Sequence, residues 1–392
     1  MKQLIKSCQL LAFCFLLWSK DASSQSNITD SIMSGGIWRA YLLYVPAVYS
    51  PAKAVPLILN LHGLSSDMQQ QEAYGDFRPI ADTADFILVH PNGTVGSNGR
   101  GWNNFGALGT GVDDVGFLSA LIDTLEKKYN LNPNRIYSTG MSNGGFMSYD
   151  LACFLNSRIA AIASVTGSMM SNHLSACNAV HATPVMEVHG TADPVVSYTG
   201  VGGIIASEDI DSLVKYWVTY NHCNPVPVIT QVPNTDPTDG CDAEHHVFSN
   251  GSKGSSVELY KITGGGHAWP GAPVNLSYGP TNHDFSASKE IWRFFSQYHL
   301  DNLQTGINEP VAGKLAVSIS PNPARDGMDI SINDEGPEPG SIQLLNCLGM
   351  EVRNERLSSP SIHLERGNLS SGIYLLVVSK GSIQVTRKVV FD

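Results

Sequence analysis

Residues Gly140-Met141-Ser142-Asn143-Gly144-Gly145 set three glycines around one serine, at a point where the hydrophobic pattern changes period. Residues 135–139 before them read as a short buried strand, and residues 146–154 after them space their apolar side chains as a helix does. A chain passing from strand to helix in so few residues must bend sharply. At such a bend two backbone segments come too close for a side chain at 140 or 144. Ser142 is left at the head of a helix whose first amides favour developing negative charge, the arrangement of a nucleophile elbow. In a chain with 37 glycines the pattern alone says little; its weight comes from what surrounds it.

The surroundings alternate. Strands are expected at 37–45, at 57–61, a continuous apolar run suited to a sheet covered on both faces, and at 86–90, with a helical region at 68–83. Residues 92–112 form a Gly- and Asn-rich loop too long for a mere connection, so it is a rim or part of a binding site. Asp113 or Asp114 caps the next helix, whose Leu118, Leu121, Ile122, Leu125 and Tyr129 keep one face apolar, and Asn132-Pro133-Asn134 ends it. Beyond the elbow, strands at 159–165, 185–188, 226–232 and 257–262 alternate with helices at 208–221 and 287–298. Strands separated by helices imply an α/β fold with a mainly parallel central sheet and right-handed crossovers, whose sites lie at the carboxyl ends of the strands.

With 42% hydrophobic and 15% charged residues over 392 positions, the chain can bury a large core. Its net charge of −11 argues against nucleic acid as a partner and gives no attraction to anionic lipid. Residues 1–24 have the parts of a secretory signal: Lys2 and Lys6, an apolar run over 10–18, then Ala22, Ser23 and Ser24, with cleavage expected before Gln25. That run is short for a membrane anchor, and bulky Phe13 before Cys14 disfavours lipid attachment. No other stretch is long and apolar enough to cross a membrane. Export permits disulfides. Cys153, Cys177, Cys223 and Cys241 allow three pairings, of which sequence proximity favours Cys153 with Cys177 and Cys223 with Cys241; Cys347 stands alone. None of the four falls in a C-x-x-C pair, so no metal site is expected.

A serine hydroxyl needs an imidazole to take its proton and a carboxylate to orient that imidazole. His267 follows Gly264-Gly265-Gly266 at the end of the 257–262 strand. Asp193, in His189-Gly190-Thr191-Ala192-Asp193-Pro194, lies just past the 185–188 strand. Its rivals Asp209 and Asp211 sit at a helix start, where carboxylates cap, and Asp236, Asp239 and Asp242 lie in a solvated turn region. The order Ser142, Asp193, His267 is the one an α/β-hydrolase sheet dictates. The backbone amides of Asn143 and of Leu64, after Leu61-His62-Gly63, are the expected oxyanion donors. His62 reads as a residue holding that turn, His245 and His246 as surface residues, and Asp113 with Asp114 as caps. Trp102 and Trp269 are expected to line the cleft and stack on an aromatic acyl group or sugar, with core packing as the alternative.

The stretches GMSNGG, HGTADPVV, GGGHAWPG, LHG and GWNN with VDDVGF resemble the secreted esterases that include polyhydroxybutyrate depolymerase-like proteins, feruloyl esterases and acetylxylan esterases of carbohydrate esterase family 1. The resemblance covers about residues 30 to 300. It implies an α/β-hydrolase fold, a Ser142, His267, Asp193 triad, no metal or other cofactor, and the two disulfides named above. Leu64-Ser65-Ser66 departs from the cysteine or glycine that relatives often carry there.

After residue 300 the texture changes: 301–314 read as a polar linker, and 315–392 as short alternating strands of a small all-β sandwich, placing the main domain at 25–300. Ser320-Pro321-Asn322-Pro323, Asn346 to Gly349, Leu369-Ser370-Ser371-Gly372-Ile373-Tyr374 and Lys388-Val389-Val390-Phe391 resemble the C-terminal sorting domain of type IX secretion in Bacteroidota, implying the secretion machinery as a partner and an extracellular or cell-surface location. A carbohydrate-binding module is the rival, but Tyr374 is the only Tyr or Trp in this part, and sugar platforms need several rings.

The expected function is a serine esterase acting through an acyl-enzyme on feruloyl or acetyl esters of plant polysaccharide. A poly(3-hydroxybutyrate) depolymerase is the alternative, and an idle binding protein on a hydrolase scaffold is the alternative of another class. Loops at 92–112 and 264–285 would choose the substrate.

Overall fold

Every residue of Val55–Leu61, Ile87–Pro91, Ala161–Val165 and Val185–Gly190 is buried, as strands covered on both faces must be. The computed structural model describes residues 26–104, 111–170, 174, 176–200, 203, 207–272, 278–303, 316–333, 340–346, 350–357, 359, 361–380 and 383–392. The expected signal at 1–24, most of the expected linker, parts of the two substrate loops and Cys347 lie outside them. The chain divides into two compact units, the first ending at Gln304 and the second beginning at Thr305.

In the first unit the elements run β1 (Ser26–Ser34), β2 (Ile37–Val45), β3 (Val55–Leu61), α1 (Met68–Tyr74), α2 (Arg78–Ala84), β4 (Ile87–Pro91), β5 (Thr94–Gly96), β6 (Gly99–Gly101), α3 (Asp114–Lys128), β7 (Leu131–Met141), α4 (Asn143–Phe154), β8 (Ala161–Val165) and β9 (Val185–Gly190). They continue with α5 (Ile210–Tyr220), β10 (Val228–Gln231), β11 (Asp242–Phe248), β12 (Val257–Thr263), α6 (Ala287–Phe295) and α7 (Leu300–Leu303). One ten-stranded sheet runs β1-β2-β4-β3-β7-β8-β9-β12-β11-β10. Its middle strands, β4 through β12 in that order, pair in parallel, and the outer strands are antiparallel. This is the α/β-hydrolase architecture.

Side chains alternate along each strand, so the sheet splits the core in two. Leu57, Leu59, Ile87 and Val89 face one way, against Leu118 and Leu121 of α3 and Trp217 of α5. Ile58, Leu88 and Tyr137 face the other, against Ile291, Phe294 and Phe295 of α6. Each such side chain, fully buried, contributes about 1.5–3 kcal/mol.

Several elements depart from the pattern in the sequence. The helical region 68–83 is two helices, because Gly75 ends α1 with its N–H on Gln71 O and Pro79 lies in the first turn of α2. Helix α3 stops at Lys128, where the Tyr129 N–H bonds Leu125 O, so Pro133 lies inside β7 rather than at a helix end, where the register against β3 shifts. Strands β1 and β11 carry too many polar residues to announce themselves; each lies toward an edge, half exposed. Residues 301–303 belong to α7, whose Leu300 and Leu303 are buried in the first unit's core, and are not linker.

The second unit packs a three-stranded sheet, β13 (Ala316–Ser320), β14 (Gly327–Asn333) and β17 (Ser361–Glu365), against a four-stranded one, β15 (Gly340–Leu345), β16 (Glu351–Leu357), β18 (Gly372–Lys380) and β19 (Ile383–Phe391). Met328, Ile330 and Leu364 from one meet Ile342, Leu376, Val378 and Phe391 from the other in a single core, which makes a β-sandwich. Tyr374 belongs to that core, 8% exposed and donating its hydroxyl to Ser370 O, so it offers no sugar platform.

Candidate active site

Ser142 joins β7 to α4 with φ 54° and ψ −121°, a left-handed bend that non-glycine residues seldom adopt. Its neighbours hold it there: the Ser142 N–H donates to Val165 O at 2.8 Å, and its carbonyl accepts from Phe146 N at 3.0 Å. A Cβ at Gly144 would stand 2.1 Å from Leu61 O, and one at Gly140 would stand 2.6 Å from the same atom. The helix head therefore packs directly onto the end of β3, and only glycine permits it.

His267 follows β12 across Gly264-Gly265-Gly266. Its N–H donates to Tyr278 O at 2.8 Å, fixing the loop. Its Nδ1 lies 2.7 Å from Asp193 Oδ2. Asp193 Oδ1 accepts from the Val195 and Val196 amides at 2.8 and 2.9 Å, so the carboxylate is held from both sides. With the acceptor facing Nδ1, the ring carries its proton there and presents the Nε2 lone pair outward. Ser142 and His267 line one cleft of about 380 Å³ with Gly63, Leu64, Tyr74 and Tyr278.

The turn after β3 is held by several hydrogen bonds. His62 Nε2 accepts from Gly93 N at 3.0 Å, so its Nδ1 donates to Gly63 O at 2.7 Å and the ring is neutral. Burial holds the His62 pKa down at about 4. The Ser65 and Ser66 amides bond to Arg100 O and Gly63 O, whereas the Leu64 N–H has no hydrogen-bond partner among the described residues. Asn143 is the first residue of α4, so its N–H is one of the amides a helix leaves unpaired.

Trp102 and Trp269 do not line this cleft. Trp102 is fully buried, its indole N–H donating to His62 O at 2.9 Å and its backbone N–H to Asn143 Oδ1 at 2.6 Å. It braces the turn from behind. Trp269 is 2% exposed, with its indole N–H on Ser288 Oγ and its ring against Phe77 and Tyr74. The aromatic ring that does reach solvent at the cleft is Tyr278, 67% exposed, in a polar loop that gives no periodic signal of its exposure.

The other candidates sort by environment. Asp113 caps α3 by accepting from Gly116 N, but Asp114 is buried, with Oδ1 2.5 Å from Arg39 Nη2 and Oδ2 accepting from Asn103 N at 2.7 Å. It ties the loop after Trp102 to the helix and is more than a cap. Asp209 caps α5, and Asp211 accepts from the Tyr198 hydroxyl. Asp236 and Asp239 bond neighbouring turn amides, while Asp242 opens β11. His245 and His246 lie on β11, half-buried against Glu258 and Glu244, and are not free surface residues.

Cys153 and Cys177 form a disulfide. Cys223 and Cys241 do not: both are free and buried, Cys223 in the core on one side of the sheet and Cys241 in the core on the other. Proximity in sequence says nothing about which face a side chain takes. Burial pushes each thiol up to about 11.

Residues 39–220 match the family described as Esterase PHB depolymerase, and residues 318–392 match the Secretion system C-terminal sorting domain. A bifunctional acetylxylan esterase/xylanase from Neocallimastix patriciarum is 28% identical over 276 residues, 70% of this chain and 36% of its own. Feruloyl esterase B from Piromyces equi is 29% identical over 238 residues, 59% of this chain and 42% of its own. The chain thus spans less than half the length of either. A probable feruloyl esterase C from Aspergillus clavatus is 30% identical over 267 residues, 66% of this chain and 83% of its own. The sorting domain marks the chain for export by type IX secretion. With a serine on the elbow, an imidazole and carboxylate in contact at neighbouring strand ends, and these matches, the chain belongs to the PHB depolymerase family of esterases.

Proposed function

We propose that the chain is a serine carboxylic-ester hydrolase that acts on feruloyl or acetyl esters of plant polysaccharide through an acyl-enzyme. The 2.7 Å contact of His267 Nδ1 with Asp193, which leaves Nε2 as the free base in the cleft that Ser142 also lines, carries this reading. His267 Nε2 takes the Ser142 proton as the hydroxyl oxygen attacks the ester carbonyl, and Asp193 steadies the resulting imidazolium. The Leu64 and Asn143 amides hold the oxyanion, each worth about 10²–10³ in rate by comparison with other such donors. His267 returns the proton to the leaving alcohol. Water, deprotonated by the same ring, then releases the acid and restores Ser142.

A cleft of about 380 Å³ with Tyr278 at its mouth and Leu64 and Tyr74 in its wall suits a small ester borne on a polymer. The names of the feruloyl and acetylxylan esterase relatives agree with that substrate class. The family description favours poly(3-hydroxybutyrate) as the second reading. We further propose that the second unit is what the secretion machinery engages.

Wild type and Ser142→Ala assayed side by side on methyl ferulate, acetylated xylan and hydroxybutyrate oligomers test the proposal. We expect hydrolysis of the first two and a loss of at least about 10⁴-fold in the variant. Activity on the oligomers alone would move the chain to the second reading, and equal rates in the two proteins would leave only an idle scaffold.

A further inference from the structure

Behind Asp193 stands a second imidazole that the reaction above does not use. Glu187 and His189 are two residues apart on β9 and so point to the same face of the sheet, and the chain then turns so that Asp193 faces back over them. His189 Nδ1 is 2.9 Å from Glu187 Oε1; its Nε2 is 2.8 Å from Val196 O and 3.5 Å from Asp193 Oδ2. The side chains of Glu187, His189 and Asp193 are fully buried. The Tyr149 hydroxyl of α4 donates to the other Glu187 oxygen at 2.8 Å. A line therefore runs Tyr149, Glu187, His189, Asp193, His267, hydrogen-bonded at every step except the 3.5 Å charge contact of His189 with Asp193, with Ser142 lining the cleft beside its last member.

Both ring nitrogens of His189 face oxygen acceptors, which a ring bearing N–H on each side satisfies. Burial works against that charge, but the hydrogen bond and charge of Glu187, with the charge of Asp193, outweigh it and raise the His189 pKa. Burial also raises Glu187, opposed by His189 and Tyr149. The other charged or titratable groups nearby are Tyr198, edge-on to the His189 ring at 5.9 Å with its hydroxyl on Asp211 of α5, and Lys261 of β12, 4.9 Å from the Tyr198 ring. Three buried ionisable groups cost several kcal/mol each unless paired, and Asp193 already has two amides and His267 as partners. Stability alone does not call for an ion pair here; an apolar pair would fill the space.

We propose that Glu187 and His189 are positioning residues for the Asp193–His267 pair. The His189 cation, held by Glu187, fixes Asp193 Oδ2 toward His267 Nδ1 and offsets part of the Asp193 charge, so that His267 stays a free base to lower pH. The inference rests on the reading of Asp193 and His267 as the acid–base pair of an ester hydrolase. Its sign follows from Coulomb's law: removing a cation beside Asp193 leaves more uncompensated negative charge near His267, which then holds its proton more tightly.

The test is a pH profile of kcat and kcat/KM on p-nitrophenyl acetate for the full-length protein and for His189→Gln and Glu187→Gln, with Tm measured on each. We expect kcat to fall 10- to 100-fold in His189→Gln with KM within about twofold, and the acid limb of kcat/KM to move up by half a pH unit or more. Glu187→Gln, which keeps an acceptor for His189 but not the charge, should shift the limb the same way by less. Lower Tm with an unmoved acid limb, or a rise in KM at constant kcat, would overturn the proposal. Nitrogen NMR of the wild-type histidines needs no variant: a doubly protonated His189 ring at pH 7 is expected, and a neutral ring sinks the idea. Ser142→Ala in the same assay separates the two claims. If it matches wild type, the hydrolase reading fails first; if it is dead while the acid limb stays fixed, only the role of Glu187 and His189 is lost.

Discussion

Ser142 holds a backbone conformation, φ 54° and ψ −121°, that costs a residue with a side chain about 1–3 kcal/mol. Glycine adopts it without that cost. Ser142→Gly should therefore unfold at higher denaturant than Ser142→Ala, by about 1 kcal/mol, while both are inactive; equal midpoints would mean the bend is unstrained. His62 makes a second prediction. Its folded pKa is lowered to about 4 from 6.5, so between those values the unfolded chain binds a proton that the folded chain refuses. Stability should be complete above pH 6.5 and fall by about 3 kcal/mol as pH drops toward 4. Buried His90, lowered to about 3, acts in the same direction. Urea midpoints at pH 7 and 4.5 for wild type and His62→Gln check the sign: the variant should show the smaller drop. At the cleft, Tyr278→Ala should reduce kcat/KM on methyl ferulate about tenfold more than on a methyl acetate control, with Tyr278→Phe near wild type. The placement of Ser142, Asp193 and His267 at strand ends was legible in the sequence, because glycines or a fixed chain order tie each to its strand. Exposure carries no such mark, and Trp102 and Trp269, which look like binding residues, are instead braces.

Secondary elements are held by ties that the sequence shows unequally. The Cys153–Cys177 bond joins the last turn of α4 to residue 177 across a separation of 24 residues. By loop entropy it contributes about 3 kcal/mol, so Cys153→Ser with Cys177→Ser should lose that much in unfolding free energy while the proposed hydrolysis survives. Asp114 ties β2 to α3 through Arg39, whose guanidinium also lies 3.9 Å over the Phe117 ring. Asp114→Asn leaves Arg39 buried without its counter-charge, and a loss of about 3–5 kcal/mol is expected from calorimetry. Most parallel strands were legible because they are mainly apolar; β11 was not, because His245 finds Glu258 on β12 and Glu244 finds Gln231 on β10, partners that only strand pairing reveals.

On the scale of the whole chain, the two cores on either face of the first unit's sheet share no residue with the core of the sandwich, and the chain divides between Gln304 and Thr305. A chain ending at residue 304 should keep its own unfolding transition and the proposed ester hydrolysis, yet fail to reach the medium when expressed in a host with type IX secretion. Loss of hydrolysis would show that the second unit completes the first. The sequence reads as linker over 301–314, whereas residues 301–303 belong to α7, which buries Leu303 in the first unit.

The ten-stranded sheet walls Cys223 off from Cys241, and each thiol is almost wholly protonated at neutral pH. Such thiols are inert to oxidants while the sheet is closed. A denatured chain has no such wall, and there the four cysteines of the first unit allow six single bonds, only one of which, Cys153–Cys177, leaves Cys223 and Cys241 free. Closure of the sheet before oxidation therefore favours the single native bond, because it takes two of the four competing thiols out of reach.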